Sequence, residues 1–177
     1  MTGKHHLIAG VCVGSCLTTS DIISENYGIL PIATGFLGTV VGSLFPDVDT
    51  STSKIGRKVK IISKIINNMF GHRGLFHCPL LIIGLFFLFK YIFETNTITE
   101  YSIAYVGFLF GMGIHLFCDM FTKGGIPILY PFYTTKFSLT KMKSGSKKEP
   151  IALGVILGIV ILITGISLFN GIYIPIM

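Results

Sequence analysis

Residues 151–169 read IALGVILGIVILITGISLF, without one ionisable side chain. A helix that is apolar on every side belongs in a membrane or at the centre of a large core. The run is close to the length of about 20 apolar residues that crosses a bilayer. Residues 28–46 are equally free of charge, and residues 101–121 are apolar apart from His115 and Asp119. Residues 78–93 hold mostly Leu, Ile and Phe, with Lys90 near the end, and residues 7–20 form a shorter apolar stretch. The composition agrees: 51% hydrophobic and only 12% charged, where a soluble domain is about a quarter charged. We expect an all-α integral membrane bundle of about five transmembrane helices. It would form a single domain over residues 1–177, with residues 151–177 as the C-terminal span.

The basic residues set the expected orientation. Lys4 precedes the first apolar run. Lys54, Arg57, Lys58, Lys60, Lys64 and Arg73 follow the second, and Lys123, Lys136, Lys141, Lys143, Lys147 and Lys148 follow the fourth. The opposite connections carry Asp21, Glu25, Glu94 and Glu100. The positive-inside rule then puts the N-terminus in the cytoplasm and the C-terminus outside. A net charge of +6 would otherwise suggest nucleic acid, but basic residues flanking apolar runs point to membrane lipids, and no nucleic-acid partner is expected. Residues 55–70, IGRKVKIISKIINNMF, place apolar residues at helical spacing beside Arg57, Lys58, Lys60 and Lys64. That pattern predicts a basic amphipathic helix lying in the interface of an anionic leaflet. The four Cys form no CxxC pair and read as reduced thiols in apolar surroundings.

Alternating spans gather the polar residues at one face. His5 and His6 open the first run, Asp47 and Asp49 close the second, His72 and His77 open the third, and His115 and Asp119 close the fourth. His115 and Asp119, four apart, share one helix face, inside an apolar segment where ionisable groups are costly and have a functional reason. In extended chain, Pro46-Asp47-Val48-Asp49 would point both carboxylates the same way. His72 and His77 converge if His72 lies in the glycine-flanked loop and His77 leads into a helix whose first turn holds Pro79. Arg73 between them suits a phosphate. Gly124-Gly125 allow close backbone approach to a ligand, and Glu149 is a further candidate ligand or base. Mixed imidazole and carboxylate donors suit Zn, Mn or Fe better than Ca or Mg. There are more candidates than the three protein ligands of one catalytic zinc, so two or more ions are expected.

The stretches MTGKHH, SLFPDVDTSTSKIGR, GHRGLFH and GMGIHLFCDMFTKGGIPILYPF resemble the LexA-regulated, membrane-bound metal-dependent hydrolase family, over about residues 1–150. The family has one His before the first aliphatic run, which aligns with His6 rather than His5. Its other polar positions match Asp47, Asp49, His72, His77, His115 and Asp119. Thr50 and Phe76 depart from it, standing where the family often has His and Thr. The family is distantly similar to zinc phospholipases C and P1-type nucleases. The resemblance therefore implies hydrolysis of a phosphoester, in a lipid or lipid-linked substrate. Arg73 would stabilise developing charge, and Asp47 or Asp49 would bridge metals or take a proton. Two other functions fit the same residues. A transporter would line an ion path with His115 and Asp119, and a scaffold or sensor would use the metal only for stability.

Overall fold

The computed structural model describes residues 1–24, 28–94 and 99–170. Glu25 and the stretch leading to Met177 lie outside the described residues, as do the side chains of Asp21, Glu94 and Glu100. Among the described residues there are six α-helices: α1 (Gly3–Ser24), α2 (Ile29–Gly42), α3 (Lys60–Phe70), α4 (Pro79–Glu94), α5 (Thr99–Met120) and α6 (Glu149–Phe169). Two 3-10 turns, Phe45–Asp49 and Leu75–His77, precede α3 and α4. Among the described residues there is no strand, only an isolated antiparallel bridge between Ile126 and Phe137. Pro79 opens α4 and Pro150 lies in the first turn of α6, where the missing N–H has no helical partner to lose. α5, over Ser102–Met120, and α6 are long and apolar enough to cross a membrane. α2 and α4 are apolar but shorter.

Small residues let the helices at the centre meet backbone to backbone. A Cβ on Gly38 would overlap the carbonyl of Ala104, and one on Gly42 the carbonyl of Phe108. Gly35 lies against Ile103, so the register climbs together on the two helices and α2 runs parallel to α5. Close glycine-mediated packing of this kind is how helices associate where lipid gives no hydrophobic drive. α1 runs the other way, since its Gly10 meets Ser43 and its Gly14 meets Phe36. α6 packs on α1 and α4 on α5. α1, α4 and α6 thus begin, and α2 and α5 end, at one end of the bundle.

Two local expectations are corrected. The basic amphipathic helix starts at Lys60, not Ile55. Residues 51–59 form turns instead, with the Ser53 hydroxyl donating to the Asp47 carbonyl and accepting from the Gly56 N–H. In α3 itself Ile61, Ile62, Ile65 and Met69 are exposed and only Ser63 is buried, so its apolar side does not rest on the protein. The PDVD stretch is likewise a 3-10 turn rather than extended chain. Its carboxylates therefore do not share the alternating face of a strand, and they point to different neighbours.

Candidate metal centre

The ends of α1, α2, α4 and α5 deliver their polar residues to one buried cluster. His6, His77 and His115 are 0% exposed and Asp119 is 1%. Two overlapping groups offer ligand atoms within 4.8 Å of one another: His6, His115 and Asp119, and Asp47, His77 and His115. Nε2 of His6 lies 3.3 Å from Asp119 Oδ1. Nε2 of His77 is 3.5 Å from Asp119 Oδ2 and 3.3 Å from Nε2 of His115. The His6 ring stacks on His115, with centroids 3.6 Å apart.

His115 shows how the fold prepares a ligand. Its Nδ1 is 2.7 Å from the carbonyl of Ser43, and a carbonyl can only accept, so Nδ1 carries the proton. Nε2, facing the cluster, keeps its lone pair. Metal-binding imidazoles are held in this way by a partner on the far nitrogen. Behind His77, Asp49 Oδ2 sits 3.1 Å from Nδ1, at ion-pair distance but without hydrogen-bond alignment. Both ring nitrogens of His6 are buried with no hydrogen-bond partner in the protein, and Oδ2 of Asp119 has the Arg73 guanidinium at ion-pair distance. Such groups cost about 1–3 kcal/mol each when left unsatisfied. A divalent cation would satisfy one ring nitrogen of His6 together with the Asp119 carboxylate, the other nitrogen carrying the ring proton, so the residues present fit one.

Asp49 and His72 lie outside both groups. Asp49 is buried and accepts from the Arg73 N–H at 2.8 Å and the Thr50 hydroxyl at 2.7 Å. Burial would raise its carboxyl, but the contacts with His72, His77 and Thr50 outweigh that and hold it below the usual carboxylate range. Asp47 is half-buried, and its burial pushes the carboxyl up, with His6 and His77 partly opposing. His72 is half-exposed, and its Nδ1 is 2.8 Å from the Thr50 hydroxyl. Thr50, a departure from the family pattern, thus bridges His72 and Asp49.

Arg73 adopts a left-handed backbone (φ 57°) and turns its guanidinium inward. Nη2 lies 2.9 Å from Asp119 Oδ2, while Nη1 donates to the Thr122 hydroxyl and the Gly125 carbonyl. The close approach at Gly124 is to this guanidinium, not to a ligand: a Cβ there would stand 2.7 Å from Arg73 Cζ and overlap Nη1. Sequence reasoning missed Ser43 and Thr122, which act through a backbone carbonyl and an ordinary hydroxyl. Glu149 is fully buried and away from both groups. It accepts from the backbone of Thr2 and Gly145 and lies 2.8 Å from Nδ1 of His5, tying α1 to α6. The Met1 amino group also donates to Asp119 Oδ1.

The family described as YdjM inner membrane protein matches residues 1–172. The chain belongs to this family. It is 35% identical over 153 residues to YvsG of Bacillus subtilis (strain 168), described as uncharacterized, covering 86% of this chain and 88% of that protein. It is 31% identical over 137 residues to the inner membrane protein YdjM of Escherichia coli (strain K12), covering 74% of this chain and 66% of that protein. YdjM of Shigella flexneri matches to the same extent. No solved structure matches, and none of these relatives points to zinc phospholipases C or P1-type nucleases. Family membership carries the assignment to a membrane, and the buried His/Asp cluster is able to hold a metal ion.

Proposed function

We propose that this protein is a multi-pass inner-membrane enzyme that hydrolyses a phosphoester of a lipid or lipid-linked substrate at the cytoplasmic face, using divalent metal. The observation that carries the reading is the meeting of His6, Asp47, His77, His115 and Asp119, with both ring nitrogens of His6 buried and without a hydrogen-bond partner in the protein. His6, His115 and Asp119 would hold one ion, and Asp47 and His77 would offer ligands to a second beside it, since the one free lone pair of His115 serves a single ion. The donor set favours Zn, Mn or Fe. When bound, such ions supply Lewis-acid polarisation of a phosphoryl oxygen and a more acidic water. Asp49 orients His77 and Arg73 orients Asp119.

In this reading α1, α2, α4, α5 and α6 all cross the bilayer. At 1.5 Å per residue, α5 and α6 rise about 32 Å, matching a hydrocarbon core of ~30 Å. α2 and α4 rise only about 21 and 24 Å, a mismatch that local thinning of the bilayer accommodates. All Lys and Arg except Lys90 lie with the metal end, which is therefore cytoplasmic. α3 rests on that leaflet by its exposed isoleucines.

Metal analysis of the detergent-purified protein tests the reading. Wild type is expected to hold stoichiometric Zn, Mn or Fe, and His115→Ala/Asp119→Ala to lose it. The metal-loaded wild type should then hydrolyse phospholipid in mixed micelles. No bound metal, even after these ions are added, would sink the proposal. The complete burial of His6, His77 and His115 favours one rival, a metal-stabilised scaffold. That rival predicts bound metal and a higher Tm with it, but no turnover.

A further inference from the structure

The bundle is open along one side. α4 packs on α5 and α6 packs on α1, and between α4 and α6 runs a groove of about 610 Å³ with α1 and α5 as its floor. That is within the ~300–1,000 Å³ of small-molecule sites. Ile83 and Phe86 form one wall, Ile163 the other, and Val13, Gly113 and Phe117 lie on the floor. Its one hydroxyl, on Thr164, donates to the Val160 carbonyl of its own helix, so the lining offers almost nothing to a polar ligand. Along α5 the groove extends from Val106 to Phe117, about 16 Å at 1.5 Å per residue. On α5 the groove ends two residues short of Asp119, and on α6 its lining, Val160, Ile163 and Thr164, lies about 16–22 Å from the metal end. The groove therefore opens beside the cluster and runs into the middle of the bilayer.

We propose that this groove is the acyl-chain subsite of the metal centre. It holds one hydrocarbon tail of a phospholipid that enters sideways from the bilayer, with the phosphoester at the metal end. The inference rests on the membrane hydrolase reading and narrows its substrate to a lipid with an acyl tail. Apolar lining and position beside the cluster together select a tail rather than a protein partner.

Gly113 provides the test, because a Cβ there meets nothing within 4 Å and a larger side chain can grow into the groove. The full chain, wild type and Gly113→Leu, is reconstituted in phosphatidylethanolamine/phosphatidylglycerol vesicles. A phosphatidylglycerol bearing a diazirine in mid-chain is included. Photolabelling mapped by mass spectrometry should favour Ile83, Phe110 and Phe117 about tenfold over Leu88, Val155 and Ile159, a difference of about 1.4 kcal/mol. These last three are exposed outside the groove. Gly113→Leu should abolish that preference with metal content unchanged. Ile83→Trp fills the groove from the other wall, should Gly113→Leu not fold. Even labelling over both sets, or groove labelling untouched by both variants, would overturn the subsite and leave only annular lipid. Groove labelling in a protein that binds no metal would overturn the hydrolase reading instead and leave a lipid-binding groove.

Discussion

Arg73 is the residue on which the centre's supporting geometry turns. Its left-handed backbone lets the N–H reach Asp49 while the guanidinium reaches Asp119, so one residue braces carboxylates from two elements. Gly124 makes the seat. Gly124→Ala would push the guanidinium off Asp119 and the Gly125 carbonyl. Loss of such a supporting contact lowers metal affinity by about 10–100-fold. Competition with a chromogenic chelator should show that loss with helical content unchanged, and an unaltered affinity would remove Arg73 from the centre. Spacing made His115 and Asp119 legible as a pair on one face. The separation of Asp47 from Asp49 was not legible, because it follows from a 3-10 turn that Pro46 begins and the Ser53 hydroxyl secures.

At the scale of elements, α3 makes the clearest demand on its surroundings. A helix of 11 residues is marginal alone in water, and here Ile61, Ile62 and Ile65 are exposed. A lipid surface would bury them. The chain has no Trp, so Ile62→Trp places a single reporter on this face. Its emission should shift to the blue in phosphatidylglycerol vesicles and be quenched by lipids brominated near the headgroup end of the acyl chain. Emission typical of water, with no quenching, would contradict the interfacial position. The amphipathic pattern revealed the helix, but not its start. Apolar spacing continues back to Ile55, whereas the turn over residues 51–59 is held by contacts with the Asp47 segment.

For the whole molecule, the alternation of helices sends each basic connection to the metal end. Replacing Cys12, Cys16, Cys78 and Cys118 and introducing Lys143→Cys gives one exposed thiol in the loop before α6. An impermeant maleimide should label it in inverted membrane vesicles and not in spheroplasts. The reverse pattern would turn the bundle over and put the metal centre outside the cell. The parallel pairing of α2 with α5 belongs to this scale as well. It needs Gly38 and Gly42 facing Ala104 and Phe108, a match that no single segment displays.

Hydropathy and charge were enough for an all-helical membrane protein with its polar residues at one end. Both are additive along the chain, so a linear reading captures them. Which of those residues meet in the two candidate groups was decided by packing. Ser43 sets the tautomer of His115, Arg73 and Asp49 take up the supporting positions, and His72 is left at the surface. These roles depend on backbone carbonyls, turn geometry and contacts between distant segments, where atoms meet in directions that composition and spacing do not encode.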